Sequence, residues 1–251
     1  MTKKEVGHNF LARLGKKRLR PGGIIATNWL ISQGHFSKEK TVLEVACNMC
    51  TTSIELAQTY RCHITGLDTD PKALERARDN IARAKLEDLI SVQEGNAMRL
   101  PFEDNSFDIV INEAMLTMLQ DKAKEKALAE YLRVLKPGGV LLTHDVAYED
   151  PDLEQTINQL RTTINANVQP LQVDDWKRLS QKIGFHTVTI KYGPMTLMSP
   201  VGMIKDEGFV SACKILYRGM KKENRQQFLT MFRFFNKNRK KLRYIAMASQ
   251  K

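Results

Sequence analysis

Acids and a histidine fall where short β-branched runs stop. Thr41-Val-Leu-Glu-Val45 carries Glu44 just ahead of the small-residue loop Ala46-Cys-Asn-Met-Cys50, and His63-Ile-Thr-Gly-Leu67 runs into Asp68 and Thr69. A strand, a tight loop, a helix and a second strand ending in an acid bind a nucleotide-like cofactor. The loop lets the ligand approach the backbone, and the acid accepts hydrogen bonds from ribose hydroxyls. Asn112 and Glu113 close a later apolar run, and His144, Asp145 and Tyr148 follow another. Ligands of open α/β sheets sit above the carboxyl ends of the strands, so these residues are expected to face a substrate. For a substrate that must lose a proton, His144 with Asp145 beside it is the candidate base, and Glu113 is the third catalytic candidate.

The same residues admit other chemistry. Cys47-Asn-Met-Cys50 is a CxxC between a strand and a helix, the setting of a redox pair. Adding Cys62-His63 gives a partial zinc set, with only one CxxC present. A nicotinamide-linked dehydrogenase would also use the acid at Asp68, but it prefers glycines throughout the first loop. Leu100-Pro-Phe and Lys136-Pro-Gly-Gly139 have no role in a redox fold, which turns both loop sulfurs into small fillers.

The elements that must position these groups follow from periodicity. Apolar runs at Val42–Val45, His63–Leu67, Ile90–Gln93, Phe107–Asn112 and Val140–Thr143 alternate with helices starting near Thr52, Pro71 and Asp121. That order predicts a parallel sheet with crossover helices. In the last of these helices Leu128, Tyr131, Leu132 and Leu135 share a stripe, and Lys136-Pro-Gly-Gly139 is expected to stop it. Phe10 to Phe36 reads as two helices broken at Pro21-Gly22-Gly23. After the core come helices around Leu153–Asn167 and Asp174–Ile183, a strand at Thr187–Tyr192 and a strand at Leu242–Ala248. Two amphipathic helices separate these strands. In one, Phe209, Ala212, Cys213, Leu216 and Met220 share a face; in the other, Phe228, Met231, Phe232 and Phe235 do.

With those motifs in register, residues 40–147 resemble the class I S-adenosylmethionine-dependent methyltransferases, particularly the ubiquinone/menaquinone-biosynthesis type. Glu44 stands at the family's acid of strand one, and Asp68 at its ribose-binding acid. Asn96-Ala97 with Leu100-Pro-Phe-Glu-Asp-Asn-Ser-Phe-Asp108 resembles the adenine-contacting segment and the entry to strand four. Leu132-Arg-Val-Leu-Lys-Pro-Gly-Gly-Val-Leu-Leu142 resembles the turn into strand five. The resemblance implies a doubly wound, Rossmann-like α/β fold with a mostly parallel seven-stranded sheet. It implies S-adenosyl-L-methionine as cofactor, S-adenosyl-L-homocysteine as product, and no metal. The implied cofactor set is Glu44, Ala46, Asn48, Cys50, Asp68, Thr69, Asn96, Ala97 and Asn112. Ala46, Asn48 and Cys50 replace the family's loop glycines, and Asn96 replaces an aspartate whose acceptor oxygen it can still supply. The base-modifying amino-methyltransferases carry Asn/Asp-Pro-Pro-aromatic after strand four; this chain reads Asn112-Glu113-Ala-Met115, which disfavours them.

Size and charge bound the partners. The 251 residues, 42% hydrophobic, suit one domain: a helical amino-terminal lid over 1–40, a cofactor core over 41–147, and a substrate side over 148–251 with a helical insert at about 197–241. The amino terminus lacks a signal-like apolar stretch and no run approaches a membrane span, so a cytoplasmic location is expected. The net charge of +11 is uneven: the first twenty residues hold seven lysines and arginines against Glu5, and the last thirty-eight hold twelve against Glu223. Basic ends suit an anionic acceptor or nucleic acid. The expected partner is a small-molecule acceptor, anionic or partly apolar. The alternatives are an RNA methyltransferase using the basic helix from Lys221 to Arg243 and a catalytically silent cofactor-binding or interaction protein. Arg20-Pro-Gly-Gly23 is a candidate grip for a carboxylate or an anionic substrate, and methionine-rich Pro194–Met203 a candidate apolar pocket wall.

Overall fold

Alternating β-branched runs and amphipathic segments build a sheet with helices on both faces. The computed structural model describes residues 5–251; Lys3 and Lys4 of the basic amino-terminal segment lie outside the described residues. In chain order the elements are α1 (Gly7–Leu14), α2 (Gly23–Gly34), β1 (Thr41–Val45), α3 (Thr51–Tyr60), β2 (His63–Asp68), α4 (Pro71–Ala84), β3 (Ile90–Glu94) and β4 (Phe107–Glu113). A short 3-10 turn at Leu116–Met118 leads to α5 (Asp121–Val134), β5 (Leu135–Tyr148), α6 (Glu154–Ile164), β6 (Leu171–Gln172), α7 (Val173–Ile183) and β7 (Thr187–Pro194). Three helices, α8 (Pro200–Glu207), α9 (Phe209–Met220) and α10 (Arg225–Asn238), precede β8 (Leu242–Gln250).

The sheet order is β3-β2-β1-β4-β5-β8-β7, with the two-residue β6 added beside β5. β1 pairs in parallel with β2 and with β4, while β8 is antiparallel to β5 and β7. The expected seven-stranded, mostly parallel sheet is therefore present with β6 as an extra strand. Strand order reverses between β1 and β4, which opens a crevice at their carboxyl ends.

Three apolar clusters hold the layers. Val42, Ile64, Ile109 and Ile111 meet α2, α3 and α4 on one face. Leu43, Val45, Val110 and Leu141 meet α5 and α7 through Leu128, Tyr131 and Trp176 on the other. A third cluster caps the carboxyl ends, where Phe10 and Leu14 of α1 pack with Leu160 of α6 and with Phe228, Met231 and Phe235 of α10. Burying each such side chain contributes about 1.5–3 kcal/mol.

Three expectations need correction. The fifth main strand does not begin at Val140: α5 ends at Val134, and Leu135 already pairs with Phe107, because its side chain is buried in the sheet. Gly138, at φ 74°, supplies the left-handed residue inside that irregular strand start. The same strand runs on to Tyr148 because β8 pairs with it from Val140 to Tyr148, so His144, Asp145 and Tyr148 lie within a ladder rather than in a following loop. In α9 the buried side is Ala212, Ile215 and Gly219, whereas Phe209, Cys213 and Met220 of the expected inward stripe are exposed. In α10 the expected stripe does turn inward at Phe228, Met231 and Phe235.

Candidate functional site

The loop after β1 makes its turns without glycine. Ala46, Asn48 and Cys50 all adopt left-handed backbone, at φ 59°, 49° and 56°. Such a conformation costs an L-residue about 1–2 kcal/mol, and local tethers hold it. The Cys47 N–H donates to the Leu67 carbonyl, the Cys50 N–H to the Cys47 carbonyl, and the Asn48 N–H to Asp68 Oδ2 at 2.8 Å. Cys50 is fully buried beneath the loop rather than facing the ligand side. A Cβ added to Gly66 of β2 would lie 2.9 Å from Cys47 Sγ and 3.0 Å from Cys50 Sγ. Glycine in the strand thus leaves the room the two cysteines occupy. A hydrogen bond with Cys50, together with burial, raises the Cys47 thiol far above its ordinary range. Both sulfurs serve as packing for the loop, and the Cys47 thiol is not readily ionised.

Above the loop lies a cavity of about 420 Å³ with two dissimilar halves. One is polar, lined by Glu44, Ala46, Asn48, Asp68, Thr69 and Glu113. The other is largely apolar, with Leu11 from α1, Leu160 and Ile164 from α6, Met195 after β7, and Met231 and Phe235 from α10. Asp68 already accepts from the Asn48 N–H and, at 3.0 Å, from the Asp70 N–H. A carboxylate oxygen can take two donors, so acceptor capacity remains for ligand hydroxyls.

Glu113, at the end of β4, is the electrostatic centre. Arg20 Nε lies 3.0 Å from its Oε2, Thr52 Oγ1 donates to the same oxygen at 2.9 Å, and Thr27 Oγ1 donates to Oε1 at 3.1 Å. Burial pushes this carboxyl up, but the Arg20 guanidinium and the hydrogen bond from His144 outweigh it and hold the group down at about 2. The remaining nitrogens of Arg20 donate to Thr27 and Thr52, so each nitrogen of its guanidinium is anchored to a protein partner. Arg20 nevertheless lines the cavity, at its polar end beside Glu113. Glu44 behaves oppositely: burial raises its carboxyl to about 7, although Ser53 donates to it from both its backbone N–H and its hydroxyl.

His144 is fully buried and does not line the cavity. Its Nε2 accepts from the Gly22 N–H at 3.0 Å, which places the ring proton on Nδ1, 3.3 Å from Glu113 Oε1. Both ring nitrogens are thereby committed to protein partners. Gly22 has no room for a side chain, since a Cβ there would lie 2.5 Å from the Tyr244 ring. The sequence offered one signal for this contact, the Pro21-Gly22-Gly23 break. Asp145 does reach the cavity wall, where burial raises its carboxyl despite the N–H groups of Thr117 and Val146 donating to it.

Several expected cofactor residues lie elsewhere. Asn112 is buried within β4, one position before Glu113 and so projecting to the opposite face. Asn96 uses its Oδ1 to accept from the Met98 N–H at 2.9 Å, and neither Asn96 nor Ala97 lines the cavity. Sequence reasoning missed His8, Thr52 and Met118 at the cavity wall, because nothing in their spacing distinguishes them from surface or core positions. Of the methionine-rich segment, Met195 and Leu197 line the cavity while Met198 and Met203 are buried away from it. Among the described residues no three His, Cys, Asp or Glu side chains converge as metal ligands would, and no helix is long and apolar enough to cross a membrane.

Comparison with known proteins gives a consistent pattern. The family described as methyltransferase domain matches residues 42–139. Over its full length the chain is 57% identical to an uncharacterized protein of Haemophilus influenzae, covering 100% of each. It is 32% identical over 167 residues to a demethylmenaquinone methyltransferase of Listeria monocytogenes, covering 62% of this chain and 69% of that one. With the corresponding enzyme of Desulfitobacterium hafniense it shares 38% identity, but the match spans only 42% of that protein's length and 43% of this chain. Among solved structures, phosphoethanolamine N-methyltransferase 2 of Haemonchus contortus in complex with S-adenosyl-L-methionine aligns with a TM-score of 0.78 at 15% identity, covering 98% of this chain and 56% of that one.

Proposed function

Because the chain belongs to the class I S-adenosylmethionine-dependent methyltransferases, we propose that it transfers the methyl group to a small, predominantly apolar acceptor held in the apolar half of the cavity. The observation that carries this reading is that one continuous cavity joins the cofactor loop to a wall of Leu11, Leu160, Ile164, Met195, Met231 and Phe235. The matched family segment spans residues 42–139, so all six of those wall residues come from parts of the chain outside it.

S-adenosylmethionine supplies an electrophilic methyl on a sulfonium and leaves as S-adenosylhomocysteine. The cavity suits that cation, because its lining holds the acids Glu44, Asp68, Asp70, Glu113 and Asp145 against the bases Lys17 and Arg20. Asp68 would accept hydrogen bonds from the ribose hydroxyls, and the backbone of Ala46 to Asn48, which lines the cavity, would lie along the bound cofactor. Displacement at a methyl needs alignment and exclusion of water above all. We assign those tasks to the apolar wall and to Glu113, which fixes Arg20 and α2 over the loop. His144 is a positioning residue that holds Gly22 and Glu113 in register. Asp145 is the group available to take a proton from an acceptor hydroxyl. The quinone for which the demethylmenaquinone methyltransferases are named is compatible with an apolar wall.

The test has two arms. Calorimetric titration with S-adenosylmethionine and S-adenosylhomocysteine measures cofactor binding, and label transfer from methyl-tritiated cofactor to a panel of apolar phenols and quinols, anionic acids and RNA measures acceptor choice. Micromolar binding with transfer to the apolar group is expected. Leu197→Gln, at a half-buried position of the acceptor wall, is expected to cut transfer about tenfold or more and leave cofactor affinity within about threefold. Transfer to RNA or to anionic acids alone would overturn the acceptor reading, and binding without any transfer across the panel would point to the silent alternative.

A further inference from the structure

We propose that the outer face of α8 and α9 docks this protein onto an anionic membrane surface beside the cavity that receives its acceptor. Six of the nine large hydrophobic side chains exposed among the described residues fall between positions 201 and 220: Val201, Ile204, Phe209, Val210, Tyr217 and Met220. Exposure reaches 65% at Val201 and Val210, 67% at Phe209 and 71% at Tyr217. Single exposed apolar residues are ordinary, but a run of them on two packed helices marks an interaction surface. Folding does not account for this one, because α9 already buries its other side through Ala212, Ile215 and Gly219.

Charge selects the partner. The same face exposes Lys205, Lys214, Lys221 and Lys222, none of which has an ion-pair partner among the described residues, while Arg218 turns back to donate to the Leu14 carbonyl. The only acids between 201 and 222 are Asp206 and Glu207. Both turn inward to the fully buried Lys16, at 3.3 and 3.5 Å. The outward face is therefore apolar and predominantly cationic, with Glu223 beside Lys222 the acid at its edge, the composition of a helix that lies in the headgroup region of an acidic bilayer. Each basic side chain near such a surface contributes about a fivefold gain in affinity. Aliphatic residues predominate over aromatic ones, which suits acyl chains better than the stacked bases of a single-stranded nucleic acid.

Position supports the same occupant. Glu207 accepts from the N–H groups of Lys17 and Arg18 at 3.0 and 2.9 Å, stitching α8 to the segment that enters the cavity wall at Lys17, Leu19 and Arg20. Met195 and Leu197, also in the wall, lead directly into α8. An apolar acceptor partitions into lipid, and a docked enzyme would draw it from there; this last link rests on the proposed acceptor class, whereas the docking surface does not.

Flotation of the full chain with vesicles tests the surface without any acceptor. Vesicles of phosphatidylcholine alone are compared with vesicles containing about a quarter phosphatidylglycerol, at low and high salt. Binding is expected to the anionic vesicles at low salt and at least about tenfold weaker binding to the neutral ones. Phe209→Ser with Tyr217→Ser should weaken vesicle binding about tenfold or more. Lys214→Gln with Lys221→Gln should remove most of the preference for anionic lipid. Both variants keep helix content by circular dichroism and cofactor affinity, because all four side chains face outward. No flotation of the parent chain, flotation unaltered in both variants, or a single-stranded RNA bound through this face without vesicle binding would each overturn the proposal. A chain that floats but fails to methylate apolar acceptors leaves the docking standing and removes the acceptor reading; one that methylates them without floating does the reverse.

Discussion

Arg20 and Glu113 face each other across the crevice, guanidinium Nε to carboxylate Oε2 at 3.0 Å, and both are almost entirely withdrawn from solvent. The pair joins the loop ahead of α2 to the end of β4, directly above the topological switch point. Thr27 and Thr52 complete it from α2 and α3, so four separate segments converge on one carboxylate. Breaking such a pair leaves an uncompensated buried charge, which costs more than the pair itself contributes.

Glu113→Gln is therefore expected to destabilise the fold by about 3–5 kcal/mol near pH 7. Its carboxyl is held down at about 2, below the ordinary 4.5. The pair's contribution is thus fully present above pH 4.5 and is lost as pH falls through 2. Urea titrations at successive pH values should show the deficit of the variant shrinking as pH drops below 4.5. Equal midpoints at pH 7 would sink the assignment.

Glu44 carries the opposite pH signature. Burial raises its carboxyl from 4.5 to about 7, so the stability tied to its neutral form is present below 4.5 and is lost as pH rises through 7. Glu44→Gln keeps an acceptor for the Ser53 N–H and cannot ionise. Relative to the parent chain it is expected to gain stability as pH rises from 5 to 8, on the order of 1–3 kcal/mol. A pH-independent difference between the two proteins would argue that Glu44 is already ionised throughout.

At Asp68 the expectation concerns binding rather than folding. Asp68→Ala removes the acceptor proposed for the ribose hydroxyls and the tether to the Asn48 N–H. Calorimetry should show cofactor affinity falling about 10- to 100-fold, the worth of hydrogen bonds to a charged group. An unchanged dissociation constant would place the cofactor elsewhere in the cavity.

Gly66 and the loop cysteines form a steric pair. Gly66→Ala puts a methyl 2.9 Å from Cys47 Sγ and 3.0 Å from Cys50 Sγ, and overpacking of this kind costs about 1–3 kcal/mol. Adding Cys50→Gly vacates one sulfur and also removes a left-handed L-residue at φ 56°. The double variant should recover most of the loss, read as a positive coupling energy in a double-mutant cycle. Strict additivity would mean that the sulfur and the glycine do not share the space.

The amino-acid sequence by itself determined the parallel sheet and the loop after its first strand. Strand and helix periods are local properties, so the runs ending at Glu44, Asp68 and Glu113 mark the carboxyl edge of a parallel sheet, and the family resemblance rests on the same segments. Tertiary structure decided the rest, because burial and side-chain pairing depend on residues distant in the chain. His144 follows an apolar run like a loop residue, yet β8 extends the ladder past it and Gly22 caps its ring. Arg20 has the look of a free anion grip, and only the fold shows Glu113 and two threonines anchoring it at the cavity wall. In α9 both faces are apolar enough to read as core, and only the packing of Ala212, Ile215 and Gly219 shows that Phe209 and Tyr217 stand outside. The apolar wall of the cavity is assembled from α1, α6, α10 and the segment after β7, which no spacing along the chain could have joined.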